Sequence, residues 1–268
     1  MHTNPHSKAN IMTSRITANF RLGLTSAMGA LHVFSSAANA GSRHFAYTYE
    51  TTTMTKGAME LESSVTWKSE KQADPGFERF DIRHEFEYGV TDRLQLAFYF
   101  ADWRHESSSG HSSKTSFQDM AVEAIYNLTD PNTTPFGSAL YGEIKGSEDF
   151  IQFEGKFLLQ KNIASWILAY NVGGEITWKD DYQNDEAELM QSAGVSFQFN
   201  PSFSAGFEVL HEIAVPDVDT IGDSGVYAGP NIAWRKDRIS ATLTGLWQVT
   251  SLADEPDFQL RTIVSFDF

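Results

Sequence analysis

Residues 77–103 read FERFDIRHEFEYGVTDRLQLAFYFADW and contain two stretches in which apolar and polar side chains alternate. Between them lies the segment GVTDR, whose Gly and Asp tolerate the backbone angles of tight reversals. Because successive side chains of a strand point to opposite faces, the pattern predicts a β-hairpin. On its first strand the apolar face would carry Phe80, Ile82, His84, Phe86 and Tyr88, and the charged face Arg79, Asp81, Arg83, Glu85 and Glu87.

The same alternation continues along the chain and separates short turns from longer polar connections. Short turns at one end and long loops at the other are typical of outer-membrane barrels, and an even strand number brings both chain ends to the same side. The sequence therefore predicts an all-β fold, a transmembrane antiparallel up-and-down barrel of about twelve strands. The predicted strands are 58–69, 77–89, 94–104, 116–128, 138–147, 150–160, 165–178, 187–199, 204–214, 226–235, 238–250 and 257–268.

The last strand, DFQLRTIVSFDF at 257–268, alternates and ends on Phe268. In a water-soluble domain this strand would be an exposed edge that invites aggregation. Closure against the first strand removes that edge. A terminal strand with Phe266 and Phe268 on one face also resembles the signal that the barrel-insertion machinery reads in outer-membrane proteins.

The first 40 residues are basic, mildly apolar and end in Ala38-Asn39-Ala40, which predicts a secretory signal peptide over 1–40. Residues 41–57 alternate only loosely and form an arm that could lie in the periplasm, enter the lumen or add a short strand. The barrel itself is predicted over 58–268. The expected location is the bacterial outer membrane, with membrane lipid as a partner.

The chain has no cysteine and a net charge of −15, which argues against a thiolate metal site and against a nucleic-acid partner. We expect no cofactor and no metal. Tryptophans near strand ends on the apolar face predict the aromatic girdles that flank a membrane barrel. They are Trp67, Trp166, Trp178, Trp234 and Trp247.

The strand phase points many charged side chains inward, with acids in excess. Two interpretations remain open: a network of paired charges that fills the lumen, or a wet path that favours cations. The predicted lumen-lining residues are Glu60, Glu62, Arg79, Asp81, Arg83, Glu85, Glu87, Asp119, Glu123, Glu143, Lys145, Glu154, Lys156, Glu175, Glu208, Glu212, Arg235 and Arg261.

A catalytic interpretation has less support in the sequence. Ser63 and His84 are expected to be cross-strand neighbours on the outer face, but no acid or amide is evident there to orient the imidazole. His211 has no evident serine partner, and His105 and His111 lie in a serine-rich polar loop. We therefore expect no enzyme activity.

Two motifs carry a resemblance to known proteins. The opening YETTTMTKGAMELESSVTW and the turn EFEYGVTDRLQL are similar to a group of bacterial outer-membrane proteins. This group includes the phenol-degradation (meta-pathway) outer-membrane family and relatives without an assigned function. The matching residues are Glu50, Thr51, Lys56, Gly57, Glu60, Leu61, Glu87, Gly89, Val90, Thr91, Asp92 and Arg93. The resemblance implies a barrel that passes small compounds, and it carries over no catalytic residues.

The sequence thus favours a passive, porin-like channel for small solutes. The alternative is a structural or surface-interaction barrel with a plugged lumen, and a hydrolase acting at the lipid face is a weaker third.

Overall fold

The computed structural model describes residues 43–179, 184–216 and 220–268. In these residues the chain forms antiparallel strands joined in a single sheet. The strands are β1 (Met59–Lys71), β2 (Glu78–Thr91), β3 (Leu94–Ser107), β4 (Lys114–Phe117), β5 (Met120–Thr129), β6 (Gly137–Gly146), β7 (Phe150–Ile163), β8 (Trp166–Lys179), β9 (Asn184–Asn200), β10 (Phe203–Pro216), β11 (Ser224–Lys236), β12 (Ile239–Gln248) and β13 (Pro256–Asp267). Within the described ranges, no helix is long and apolar enough to cross a membrane.

The short strand β4 and strand β5 together occupy one position in the sheet. Strand β3 pairs with β4 near its outer end, where Trp103 faces Phe117, and with β5 below, where Tyr99 faces Ala121. The two pieces are separated at Gln118, whose backbone N–H donates to the carbonyl of Asp102 at 2.8 Å. The thirteen strands therefore form twelve positions around the sheet, as the alternation predicts.

The sheet closes on itself because β1 pairs with β13 over most of its length. Leu61 lies opposite Phe266 and Trp67 opposite Leu260, and the backbone N–H of Phe268 donates to the carbonyl of Met59 at 3.1 Å. In hydrocarbon an unpaired backbone group costs several kcal/mol, so a membrane-spanning sheet has to close. The predicted closure of the last strand on the first is confirmed.

The outer face is apolar along the middle of the strands. Phe98, Val122 and Leu140 expose 44%, 53% and 49% of their surface there, while their neighbours along each strand point inward. Aromatic clusters lie at both ends of the barrel. Trp166 packs against Phe197 near the short turns, and Trp247 packs against Phe258 near the long loops. The short turns lie at the end where β1 begins and β13 ends. We call it the periplasmic end, following the orientation that the sequence predicts.

A bulge in β3 interrupts the simple alternation of the central hairpin. His84 lies opposite Ala101 and Glu85 opposite Tyr99, so Phe100 has no partner across the strand pair. A bulge inserts one extra residue and reverses the phase of the side chains that follow. Trp103 consequently faces outward with 44% of its surface exposed, and Asp102 is buried on the inner side.

The outer face generates a first test with two valines. Val122 lies near the middle of the sheet position that β4 and β5 form together, and Val249 lies just beyond the outer end of β12; both are exposed. We expect Val122→Arg to lower the free energy of unfolding by about 2–4 kcal/mol, and Val249→Arg by at most about 1 kcal/mol, because the cost of a charge falls towards the interface. Denaturant unfolding in lipid vesicles measures both. Equal losses would contradict the position of the membrane on this face.

Candidate functional site

The arm before β1 lies inside the barrel. Residues 43–57 contain no strand, yet Phe45, Ala46, Thr48 and Thr51 have no exposed surface. The chain is near β12 at Arg43, whose carbonyl accepts a hydrogen bond from Thr242 Oγ1 at 2.8 Å. It then reaches the periplasmic turn after β2, where Asp92 Oδ1 accepts from the backbone N–H of Lys56 at 2.9 Å. Of the three positions open for this segment, the structure shows entry into the lumen.

One buried carboxylate binds three successive backbone groups of the arm. Glu208 on β10 is fully buried, and its oxygens accept hydrogen bonds from the successive backbone N–H groups of Ala46, Tyr47 and Thr48 at 2.9, 2.9 and 3.0 Å. The hydroxyl of Thr244 donates to the same carboxylate at 2.6 Å. Hydrogen bonds to a charged acceptor are about twice as strong as neutral ones. Glu208 therefore binds the arm backbone through its charge.

Side-chain amides bind the rest of the arm backbone. Asn171 accepts from the N–H of Tyr49 at 2.6 Å and donates to its carbonyl at 3.0 Å. Gln160 accepts from the N–H of Thr51 at 2.8 Å, and Gln95 from the N–H of Met54 at 2.9 Å. These contacts come from β8, β7 and β3, while Glu208 lies on β10. The arm therefore crosses the lumen and is bound to walls on several sides.

A glycine makes room for the one phenylalanine of the arm. Phe45 packs against Ile167 and Ala169 of β8. A Cβ atom at Gly194, on the neighbouring strand β9, would lie 2.5 Å from the Phe45 ring. Non-bonded carbon atoms essentially never come this close, so any side chain at this position would force the Phe45 ring to shift. Gly194 thus provides the space in the barrel wall that the Phe45 ring of the arm occupies.

Above the arm, towards the long loops, the lumen widens into a cavity of about 560 Å³. Charged side chains from most of the ring line this space. On β2 and β3 they are paired, with Arg83 Nε 2.8 Å from Asp102 and Arg104 Nε 2.6 Å from Asp81. On the opposite side, Glu175 of β8 faces Glu188 of β9 across the strand pair. No ion pair involves either acid within the described residues, so this wall presents free carboxylates to the cavity.

The structure places the side chains predicted to line the lumen on the inner face. Seven of them form ion pairs with one another: Arg79 pairs with Asp81, Arg83 and Lys145 both pair with Glu143, and Lys156 pairs with Glu154. Arg235 pairs with Asp267, and Arg261 donates to the carbonyl of Ala46. Buried inner positions are held by Glu60, Glu62, Glu85, Glu87, Asp119, Glu123 and Glu208, while Glu175 and Glu212 line the outer cavity.

Three classes of residue escaped the sequence interpretation. Asp102 and Arg104 face inward, and Trp103 joins the outer aromatics, because the bulge at Phe100 reverses the phase. The adjacency of a charged pair to a tryptophan at a strand end is a signal that could have located the bulge. The amide anchors and Gly194 gave no such signal, since their role depends on the arm.

Two serine–histidine pairs lie on the outer face. Ser63 Oγ is 2.9 Å from His84 Nδ1, and His211 Nε2 is 2.8 Å from Ser224 Oγ. His84 stacks on Phe100 with ring centroids 6.1 Å apart. Within the described residues no carboxylate or amide hydrogen-bonds either imidazole. These pairs satisfy polar groups in an apolar face and lack the third group that orients a catalytic histidine.

The barrel resembles solved outer-membrane proteins in fold. The COG4313 outer membrane channel from Pseudomonas putida F1 aligns with a TM-score of 0.61 at 13% identity, covering 82% of this chain and 98% of that one. The NanC porin aligns at 0.55 and 9% identity, covering 78% and 100%. The KdgM porin, solved in complex with disordered oligogalacturonate, aligns at 0.51 and 8%, covering 78% and 99%. With its apolar outer face, this fold places the chain in the bacterial outer membrane.

A family model described as a family of unknown function (DUF6662) matches residues 37–259. No curated protein matches the sequence. The resemblance noted in the sequence therefore holds for outer-membrane barrels in general, and the phenol-degradation name finds no support in the matching family.

The anchoring carboxylate generates a second test. The chain has no cysteine, so Thr48→Cys introduces a single thiol at a fully buried arm position. In this background Glu208→Gln removes a charged acceptor, and we expect about 2 kcal/mol weaker arm binding and about 30-fold faster maleimide labelling. Glu188→Gln, a lumen acid without a hydrogen bond to the described arm, should change the rate less than about twofold. Equal acceleration by both variants would contradict a specific anchor.

The arm also contains a pH-sensitive contact. His44 Nδ1 lies 3.0 Å from Glu50 Oε1. Burial lowers the pKa of His44, but the charge of Glu50 and the hydrogen bond to it outweigh burial, and the pKa is raised above 6.5. A raised pKa means that protonated His44 stabilises the bound arm fully below pH 6.5, and that this stabilisation is lost as pH rises through the raised value.

We therefore expect labelling of Thr48→Cys to accelerate as pH rises through that pKa. Rates are normalised to Ser113→Cys, an exposed loop position that reports the intrinsic reactivity of the thiol. His44→Gln should abolish this increase of the labelling rate with pH. A step that persists in His44→Gln would assign the pH dependence to another group.

Proposed function

Because the chain belongs to DUF6662, a family of unknown function, its role has to be inferred from its own residues, and we propose that it is an outer-membrane channel for small polar solutes that the arm closes. The observation that carries the proposal is the type of contact between the arm and the barrel wall. The described part of the arm contains no strand, and apart from one bond at its end, from the Gly57 N–H to the carbonyl of Gly89, side chains of the wall hold its backbone. Such contacts can open without breaking the sheet.

The polar outer cavity supports passage of small hydrophilic solutes. Its free carboxylates on β8 and β9, together with Glu208 once the arm has left, would favour cations over anions. The charged side chains of β2 and β3 would remain ion-paired with one another and would contribute less to the preference for cations.

A structural barrel with a permanently plugged lumen is the second candidate, and the buried arm favours it directly. The two functions differ in one property, since a structural barrel needs no open state. The pairs Ser63–His84 and His211–Ser224 give less support to a lipid-face hydrolase, because nothing in the described residues orients either histidine.

We further infer that the chain is exported with residues 1–40 as a cleaved leader, which lie outside the described residues, and that the mature protein consists of the arm 41–57 and the barrel 58–268. Phe266 and Phe268 on the closing strand support recognition by the barrel-insertion machinery. Phe268 packs against Phe266 with ring centroids 5.4 Å apart.

Conductance across planar lipid bilayers tests the proposal. Gly194→Leu fills the space of the Phe45 ring and should displace the arm without changing its sequence. We expect the wild type to conduct rarely and Gly194→Leu to show sustained open channels, because a side chain and the ring cannot occupy the same volume.

The matched control is Ala193→Leu, which adds the same side chain one residue away on the exposed outer face. It should behave as the wild type does. Heat-modifiable migration on gels confirms folding of each variant. If folded Gly194→Leu conducts no more than Ala193→Leu, the arm does not control a channel, and the plugged structural barrel is favoured.

A further inference from the structure

Three glutamates of β1 and β2 form a buried cluster at the periplasmic half of the lumen. Glu62, Glu85 and Glu87 expose 3%, 4% and 8% of their surface, and each offers a carboxylate oxygen within 4.8 Å of the others. Glu62 and Glu85 lie directly opposite each other in the strand pair. Like charges in such positions repel, so the ionised form of an isolated cluster of this kind destabilises the sheet, and a bound cation offsets the repulsion.

The structure already places a cationic group in this cluster. Arg43 of the arm directs one guanidinium nitrogen at both oxygens of Glu62, at 3.1 and 3.2 Å, and its guanidinium carbon lies 4.8 Å from the centre of the Tyr49 ring. Among the described residues, Arg43 is the one cation within ion-pair distance of these three acids. One positive charge thus faces three carboxylates.

The carboxylates of Glu85 and Glu87 have few hydrogen-bond partners. Glu87 accepts a hydrogen bond from Gln95 Nε2 at 2.9 Å. Glu85 Oε2 is buried and has no hydrogen-bond partner. A cavity of about 70 Å³ adjoins the cluster and is lined by Arg43, Glu60, Glu62 and Glu87. It has room for water molecules that could complete a coordination shell.

The number and type of the ligand oxygens favour one class of cation. The three carboxylate oxygens lie within 4.8 Å of one another, close enough for a single ion to contact all of them. Ca²⁺ commonly takes several carboxylate oxygens from a protein, whereas Mg²⁺ keeps more of its water and usually takes one or two carboxylates. Carboxylate oxygens alone also disfavour the transition metals that prefer imidazole or thiolate. The donor set therefore suits a calcium-type ion.

We propose that Glu62, Glu85 and Glu87 form a divalent-cation site of calcium type, and that Arg43 of the arm competes with the ion for Glu62. Both cannot use the two oxygens of Glu62 at once. An ion in the cluster would release Arg43 and weaken the start of the arm, while removal of the ion would let Arg43 return. The site thus couples the external ion concentration to the seating of the arm, and it does not depend on whether the barrel conducts.

Calorimetric titration of the refolded, chelator-treated full chain with CaCl₂ in detergent tests the proposal. We expect one ion per chain in the wild type and at least about tenfold weaker binding in Glu85→Gln, as for the loss of a carboxylate around a metal. Arg43→Met should bind about tenfold more tightly, because the competing charge is gone. Glu188→Gln, a lumen acid outside the cluster, should stay within about twofold.

Labelling of Thr48→Cys gives a second readout. Calcium should accelerate labelling in the wild-type background and leave the rate unchanged with Glu85→Gln. Glu87→Gln replaces Glu85→Gln if the latter fails to show heat-modifiable migration. Absence of saturable binding in Arg43→Met would overturn the site. Equal weakening by Glu188→Gln would show diffuse attraction to the lumen acids instead, and unchanged affinity in Arg43→Met would overturn the competition.

Discussion

Every backbone N–H and C=O within the hydrocarbon layer needs a partner in the protein, and this constraint determines most of the molecule. The strands meet it by pairing with both neighbours, and the sheet meets it by closing β1 on β13. The alternation of apolar and polar side chains follows from closure of the sheet, because one face then contacts lipid and the other faces the lumen. The interrupted position formed by β4 and β5 and the bulge at Phe100 are local departures that leave the ring closed.

The arm is subject to the same constraint without a strand to pair with. Its backbone groups bind Glu208, Asn171 and Gln160, so part of the polar inner face serves the arm rather than water. The inward-facing charges therefore differ in the kind of group that they bind. Glu208 has no cationic partner among the described residues, and backbone amides satisfy it instead. Glu62, by contrast, pairs with Arg43 and lies beside two acids that have no ion pair among the described residues.

The fold could be predicted from the sequence because a period of two is a local property of each strand. Strand order, closure and the inward position of residues such as Glu123 and Glu143 follow from that phase. The predicted alternation of inward and outward side chains is wrong beyond Phe100, where one extra residue turns Asp102 inward. The path of the arm could not be predicted, because 43–57 has no period and several of its partners, such as Glu208 and Asn171, lie more than 100 residues away in the sequence.

That separation has a consequence for the order of assembly. The partners of the arm on β10, β11 and β12 follow it by 160, 187 and 199 residues, as measured from Thr48, His44 and Arg43. Contacts between such distant parts of a chain form late, because the loop between them must first be closed. The arm is synthesised before the barrel, but its full set of partners exists only once β10, β11 and β12 have joined the sheet. The barrel wall is therefore the template on which the arm takes its path, and the arm is the last part of the described chain to reach its final contacts.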